Sequence, residues 1–203
     1  LKMPEVSERF RTAHGREWNQ NDVAIMYQSF EKHLFASLQD FTTPVPGVIE
    51  TMEQLRREGI RIGSTTGYTD AMMKIVQPGA AAQGYTVDCL VTPDHLPAGR
   101  PAPYMIYRNM TELAIPSVDE VVKVGDTIAD IREGLNAKVC SVGVITGSNE
   151  LGLTEEEYKT MPEPELYTLK QEVRERMMAA GAHYVLDNIR ELPDLIHNLM
   201  NKK

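Results

Sequence analysis

No stretch of this 203-residue chain approaches the roughly 20 uninterrupted apolar residues that a membrane-spanning helix needs. The N-terminal LKMPEVSERFRTAHGREW carries charges of both signs and lacks an apolar h-region, which excludes a secretory signal and points to the cytoplasm. Basic residues are in deficit: 21 Lys and Arg stand against 29 Asp and Glu, a net charge of −8. Nucleic acid and anionic membrane surfaces call for clustered Lys and Arg, so neither is expected as a partner, and any anionic ligand must be held by a local site. The two cysteines, Cys89 and Cys140, have no metal-binding spacing and lie in apolar, strand-like stretches, where they read as buried thiols. Internal repeats and low-complexity tracts are absent, and so is an opening strand, since the chain enters helix-like sequence almost at once.

What is present is enough for one substantial core and an accessory element. Residues 21–40 set Val23, Met26, Tyr27, Phe30, Leu34, Phe35 and Leu38 at helical spacing, and Asn21 or Asp22 is the expected N-cap. FTTPVPGV then breaks the pattern with Pro44, Pro46 and Gly47, which divides the chain into a helical piece, 1–45, and a main domain, 46–203. After the break, short apolar runs expected as strands (60–66, 88–94, 120–126, 139–146 and 183–187) alternate with helical patterns beginning near 47, 70, 101, 128, 163 and 188. Such alternation predicts an α/β fold, a Rossmann-like parallel sheet with helices on both faces. The acidic segment TEEEYKTMPEPE, 154–165, reads as a solvated loop.

In open α/β sheets ligands gather beyond the carboxyl ends of the strands, so the residues that end each strand belong together. The first strand runs into Ser64-Thr65-Thr66-Gly67-Tyr68, and the second leads to Ala98-Gly99-Arg100-Pro101. The third ends in Gly125-Asp126-Thr127, with Asp130 one helical turn on. Singly these residues have bland roles: Thr66 and Asp126 as helix caps, Arg100 on the surface, Asp130 as a first-turn acid complementing the helix dipole. Together they make a phosphoryl-transfer set, with a hydroxyl and a permanent cation for the anion and hard carboxylates for magnesium.

That ordered set resembles the haloacid dehalogenase superfamily. The strings GIRIGSTTGYT, LVTPDHLPAGRPAPYM, VKVGDTIADIREGLNA, VGVITGSNELGLTEEE and AAGAHYVLD are similar to the phosphonoacetaldehyde hydrolase (phosphonatase) family over essentially the whole chain. The resemblance implies hydrolysis of a carbon–phosphorus bond, giving acetaldehyde and phosphate, with magnesium as cofactor and a homodimer as the assembly. It implies that Asp126 and Asp130 serve the metal and that Thr66, Tyr68 and Arg100 bind the small phosphonate or phosphate ligand. The helical piece would then be the remnant of a cap subdomain.

Two family features have no counterpart in these 203 residues. One is the first-strand DxAGTT string with its Asp nucleophile; the other is the cap-subdomain Lys that forms an imine with the aldehyde. The resemblance implies that about 60 residues of the family pattern precede Leu1 and that the central strand of the sheet lies among them. With both bond-making groups gone, no residue of this chain is expected to be catalytic, and the chain by itself is expected not to cleave phosphonoacetaldehyde. The missing strand would leave its neighbours with unpaired backbone groups, which predicts a marginally stable or aggregation-prone chain. Lys138 and Cys140 stand where the family pattern has Gly and Trp, and Tyr104 replaces a Trp after Arg100. Two alternatives are a non-catalytic remnant that binds phosphate or a partner chain through its amphipathic helix, and a generic phosphatase of the same superfamily.

Overall fold

A computed structural model describes residues 4–201, and the chain divides into two compact units, Leu1–Thr42 and Thr43–Lys203. The first unit holds α1 (Pro4–His14), α2 (Gln20–Ser37) and a 3-10 turn, Leu38–Phe41. The N-cap of α2 is Asn19 rather than Asn21 or Asp22. Its side chain accepts from the N–H groups of Asn21 and Asp22 at 2.9 and 3.1 Å, and the Asp22 carboxylate accepts from the Asn19 N–H at 2.8 Å. This reciprocal box needs a three-residue spacing, which only a start at Asn19 offers. Arg16 donates to Asp22 at 2.7 Å, and this hydrogen bond above all holds the Asp22 carboxyl down at about 2. The predicted apolar stripe is split: Leu38 is 2 % exposed, whereas Tyr27 and Phe30 are 60 % and 59 % exposed.

The second unit alternates helix and strand. Its order is α3 (Val48–Arg57), β1 (Gly63–Thr65), α4 (Asp70–Ala82), β2 (Cys89–Val91), α5 (Tyr104–Glu112), β3 (Val122–Gly125), α6 (Ile128–Ala137) and β4 (Cys140–Val144). Then follow α7 (Glu155–Thr160), α8 (Glu163–Ala179), β5 (Tyr184–Leu186) and α9 (Leu192–Met200). All strand pairs are parallel, as the alternation requires, but they form two sheets, β1–β2 and β3–β4–β5. Gly63 pairs with Cys89 in the first; Val122 pairs with Cys140, and Val142 with Tyr184, in the second. No ladder joins β1 to β3.

The larger sheet is covered on both faces. Ile131 of α6 and Val173 and Met177 of α8 pack with Ile145 on one side; Leu55 of α3 and Leu192 of α9 pack with Val142 and Leu186 on the other. Ile131, Val142, Ile145 and Met177 are 0 % exposed, and each such side chain contributes about 1.5–3 kcal/mol through burial. A third cluster, Ile106, Ala137 and Val139, fastens α5 to the end of α6.

Two local expectations change. The acidic segment is not all loop, because Thr154 and Glu157 form a capping box that starts α7. The thiols of Cys89 and Cys140 are free but only half buried, and burial pushes both of their pKa values up. Lys138 closes α6 in the left-handed region, φ 63°, a backbone conformation that glycine adopts without cost. Among the described residues, no helix is long and apolar enough to cross a membrane.

Candidate functional site

The site grows out of the turn between β3 and α6. Thr127 is the N-cap of α6: its hydroxyl accepts from the Asp130 N–H at 3.2 Å and donates to Asp130 Oδ2 at 2.6 Å. This winds the first helical turn back over the strand end, and Asp130 is left only 3 % exposed. A Cβ at Gly125 would overlap Asp130 Cβ, so glycine there is what gives the buried carboxylate its place.

Two cations meet that carboxylate. Arg100 Nη1 donates to Asp130 Oδ1, and Lys123 Nζ lies 3.0 Å from the same oxygen. Burial alone would raise the Asp130 pKa, but Lys123, the Thr127 hydroxyl and Arg100 outweigh it and hold the carboxyl below its ordinary value. Lys123 also reaches Glu133 Oε2 at 2.9 Å and donates to the Thr65 hydroxyl at 2.8 Å, and Thr65 in turn donates to Glu133 Oε2 at 3.0 Å. The Glu133 side chain is 0 % exposed, and its Oε1 has no hydrogen-bond partner among the described residues. These contacts carry β1 across to β3 through side chains where the backbone does not pair.

The five residues picked out by the strand-end reading fare differently. Arg100 and Asp130 come into contact. Thr66 lies beside them, since a Cβ on its neighbour Gly67 would sit 3.2 Å from Arg100 Nη2. Neither Thr66 nor Asp126 is a helix cap: Thr69 caps α4 and Thr127 caps α6. The Thr66 hydroxyl instead accepts from the Tyr68 N–H at 3.0 Å, which tightens the loop after β1. Tyr68 is 37 % exposed, and its backbone N–H makes that link to Thr66. Asp126 turns Oδ2 to Asn149, whose backbone N–H and side-chain amide donate at 2.9 and 2.8 Å.

Asp126, half-buried at the end of β3, is a hard oxygen donor of the kind that would suit a magnesium ion. Both oxygens of Asp130 are engaged, by Arg100, Lys123 and Thr127. Among the described residues, no group of three or more His, Cys, Asp or Glu is placed to hold a metal ion. The Arg100 side chain is 24 % exposed, and its Nη2 lies against the Thr66–Gly67 turn.

Strand-end reasoning missed Lys123, Glu133, Thr65 and Asn149. Signals existed for the first two: Lys123 is a charge inside the apolar run VVKVGD, and Glu133 follows Asp130 by three positions, on the same helical face. Thr65 and Asn149 carried none, since hydroxyls and amides are common at strand ends and in loops.

The parallel α/β core agrees with the haloacid dehalogenase-like hydrolases, whose family model matches residues 5–138. The phosphonoacetaldehyde hydrolase of Parabacteroides distasonis is 68 % identical over 202 residues, spanning 100 % of this chain and 76 % of that protein. That of Bacteroides fragilis is 59 % identical over 203 residues, spanning 100 % and 77 %. The crystal structure of a phosphonoacetaldehyde hydrolase like protein from Oleispira antarctica superposes with a TM-score of 0.90 at 30 % identity, over 98 % of this chain and 72 % of that one. The chain belongs to the phosphonoacetaldehyde hydrolase family of the haloacid dehalogenase-like hydrolases.

Proposed function

We propose that this chain supplies the phosphoryl-binding and metal-binding rim of a magnesium-dependent phosphonoacetaldehyde hydrolase. The observation that carries the reading is the contact set at the β3–α6 turn, where a partly exposed Arg100 is fixed on buried Asp130 beside the Thr66–Gly67 turn. Arg100 clamps the anionic oxygens, Thr66 donates its hydroxyl to one of them, and Tyr68 lines the approach. Asp126 is the metal ligand, oriented by Asn149. Asp130 serves the metal only at one remove, by fixing Arg100. Magnesium, when bound, offsets the negative charge of the phosphonyl oxygens.

The nucleophilic Asp and the imine-forming Lys that the family needs are not among these 203 residues. In this reading the family's central strand lies between β1 and β3, which the lack of a ladder between them supports. The unit Leu1–Thr42 belongs, in this reading, to the family's cap subdomain. A homodimer belongs to the same reading, motivated by the exposed Ile25, Tyr27 and Phe30 of α2, and light scattering tests it.

The decisive experiment measures acetaldehyde release from phosphonoacetaldehyde with magnesium. This chain alone is compared with the same chain carrying the N-terminal segment of the Parabacteroides distasonis relative. The expected result is no release by the chain alone and turnover by the extended one, with the turnover abolished by Asp126→Ala. Release by the chain alone, or an extended chain indifferent to Asp126 and Arg100, overturns the reading.

A further inference from the structure

We propose that Lys123 and Glu133 are positioning residues that set how much of the Arg100 charge is available to a phosphoryl or phosphonyl anion. The proposal rests on the reading of Arg100 as the anion clamp. Arg100, Lys123, Asp130 and Glu133 form one contiguous set, two positive against two negative. Arg100 and Lys123 share a single oxygen of Asp130, while the other oxygen is taken by Thr127.

Sharing is what leaves Arg100 free to work. Without Lys123, Arg100 would be the sole cation facing two buried carboxylates, and its charge would be spent inward. With Lys123 in place, the buried charges balance and Arg100, whose side chain is 24 % exposed, keeps its charge for a ligand. Glu133 has the complementary part of drawing Lys123 inward, helped by Thr65. The Lys123 side chain is 10 % exposed and that of Glu133 0 %, so both act through Asp130 and Arg100 rather than on the ligand.

The test is calorimetric titration of the chain with inorganic phosphate in magnesium-free buffer. The wild type is expected to bind and Arg100→Ala to lose binding; no binding by the wild type, or none lost in Arg100→Ala, sinks the clamp reading itself. Given a working clamp, Lys123→Met is expected to weaken phosphate affinity about tenfold, by leaving one buried negative charge in excess. Glu133→Gln is expected to leave affinity unchanged or raise it. The charge-neutral double variant is expected to return to within about threefold of wild type. A role confined to structure would weaken both single variants and the double variant further, and that pattern, or an unchanged Lys123→Met, overturns the proposal while leaving the clamp standing. Lys123→Gln replaces the Met variant if the latter does not fold. A ligand-free readout is the Arg100 Nε–H resonance, which is expected to shift in the folded Lys123 variant; an unmoved resonance also overturns the proposal.

Discussion

The two sheets of the second unit are built on opposite principles. In β3–β4–β5 the central strand is almost wholly enclosed, with Ser141 and Val142 0 % exposed and apolar clusters on both faces. In β1–β2 most residues are only half buried, and one edge meets the rest of the unit through Thr65, Lys123 and Glu133. Apolar packing tolerates many sequences of the right volume, whereas a buried charge set works only when every member is present. The large sheet is therefore a scaffold, and the seam beside it is the part most sensitive to a change of charge.

The sharpest way to break this contrast is to change two neighbours on α6. Glu133→Ala leaves Lys123 buried with one carboxylate fewer and is expected to cost about 3–5 kcal/mol in urea unfolding. Lys123→Met combined with Glu133→Leu should recover most of that loss, because no charge is then stranded. Ile131→Ala, on the scaffold side, is expected to cost about 2–5 kcal/mol with no such recovery by a second substitution. Gly125→Ala should cost about 1–3 kcal/mol, since the new methyl displaces Asp130, and phosphate binding should fall with it. If binding survives intact, Asp130 does not fix Arg100. Lys138→Gly is expected to raise stability by about 0.5–1 kcal/mol through relief of the left-handed backbone, read as a higher urea midpoint.

The smallest effect is a pH dependence outside the seam. Burial would raise the Asp187 carboxyl, but Lys170 at 3.0 Å and Arg174 outweigh it and keep it low; Asp22 is held down by Arg16. Both folded pKa values lie below the unfolded ones. Their contribution is therefore fully present above the unfolded carboxyl value of about 4 and is lost as pH falls through the folded values. Thermal melts between pH 5 and 2 check this, and Asp187→Asn should flatten part of the slope.

The long periodic elements were legible because neighbours along the chain decide them. The helix expected from Asp70 begins at Asp70, and the one expected from Ile128 begins at Ile128. Some boundaries were written in the sequence and passed over: TEEE at 154–157 is a capping-box signature, and Asn19 with Asp22 is another. Arg100 and Asp130 were legible as candidates from strand-end position. Their mutual contact was not, and neither was the part played by Lys123, whose place in an apolar run looks like a flaw in a strand until Glu133 and Asp130 are set beside it.

Hydrophobic periodicity, turn residues and charge balance depend on short stretches, and by themselves they determine an α/β chain of parallel strands with its polar residues gathered at the strand ends. Which charge faces which depends on residues far apart in the chain, Arg100 and Asp130 by 30 positions and Thr65 and Glu133 by 68. Only packing brings such groups within hydrogen-bond reach. In a low-dielectric interior that proximity, more than residue type, decides that Asp130 is held by cations while Asp126 turns to the Asn149 amide.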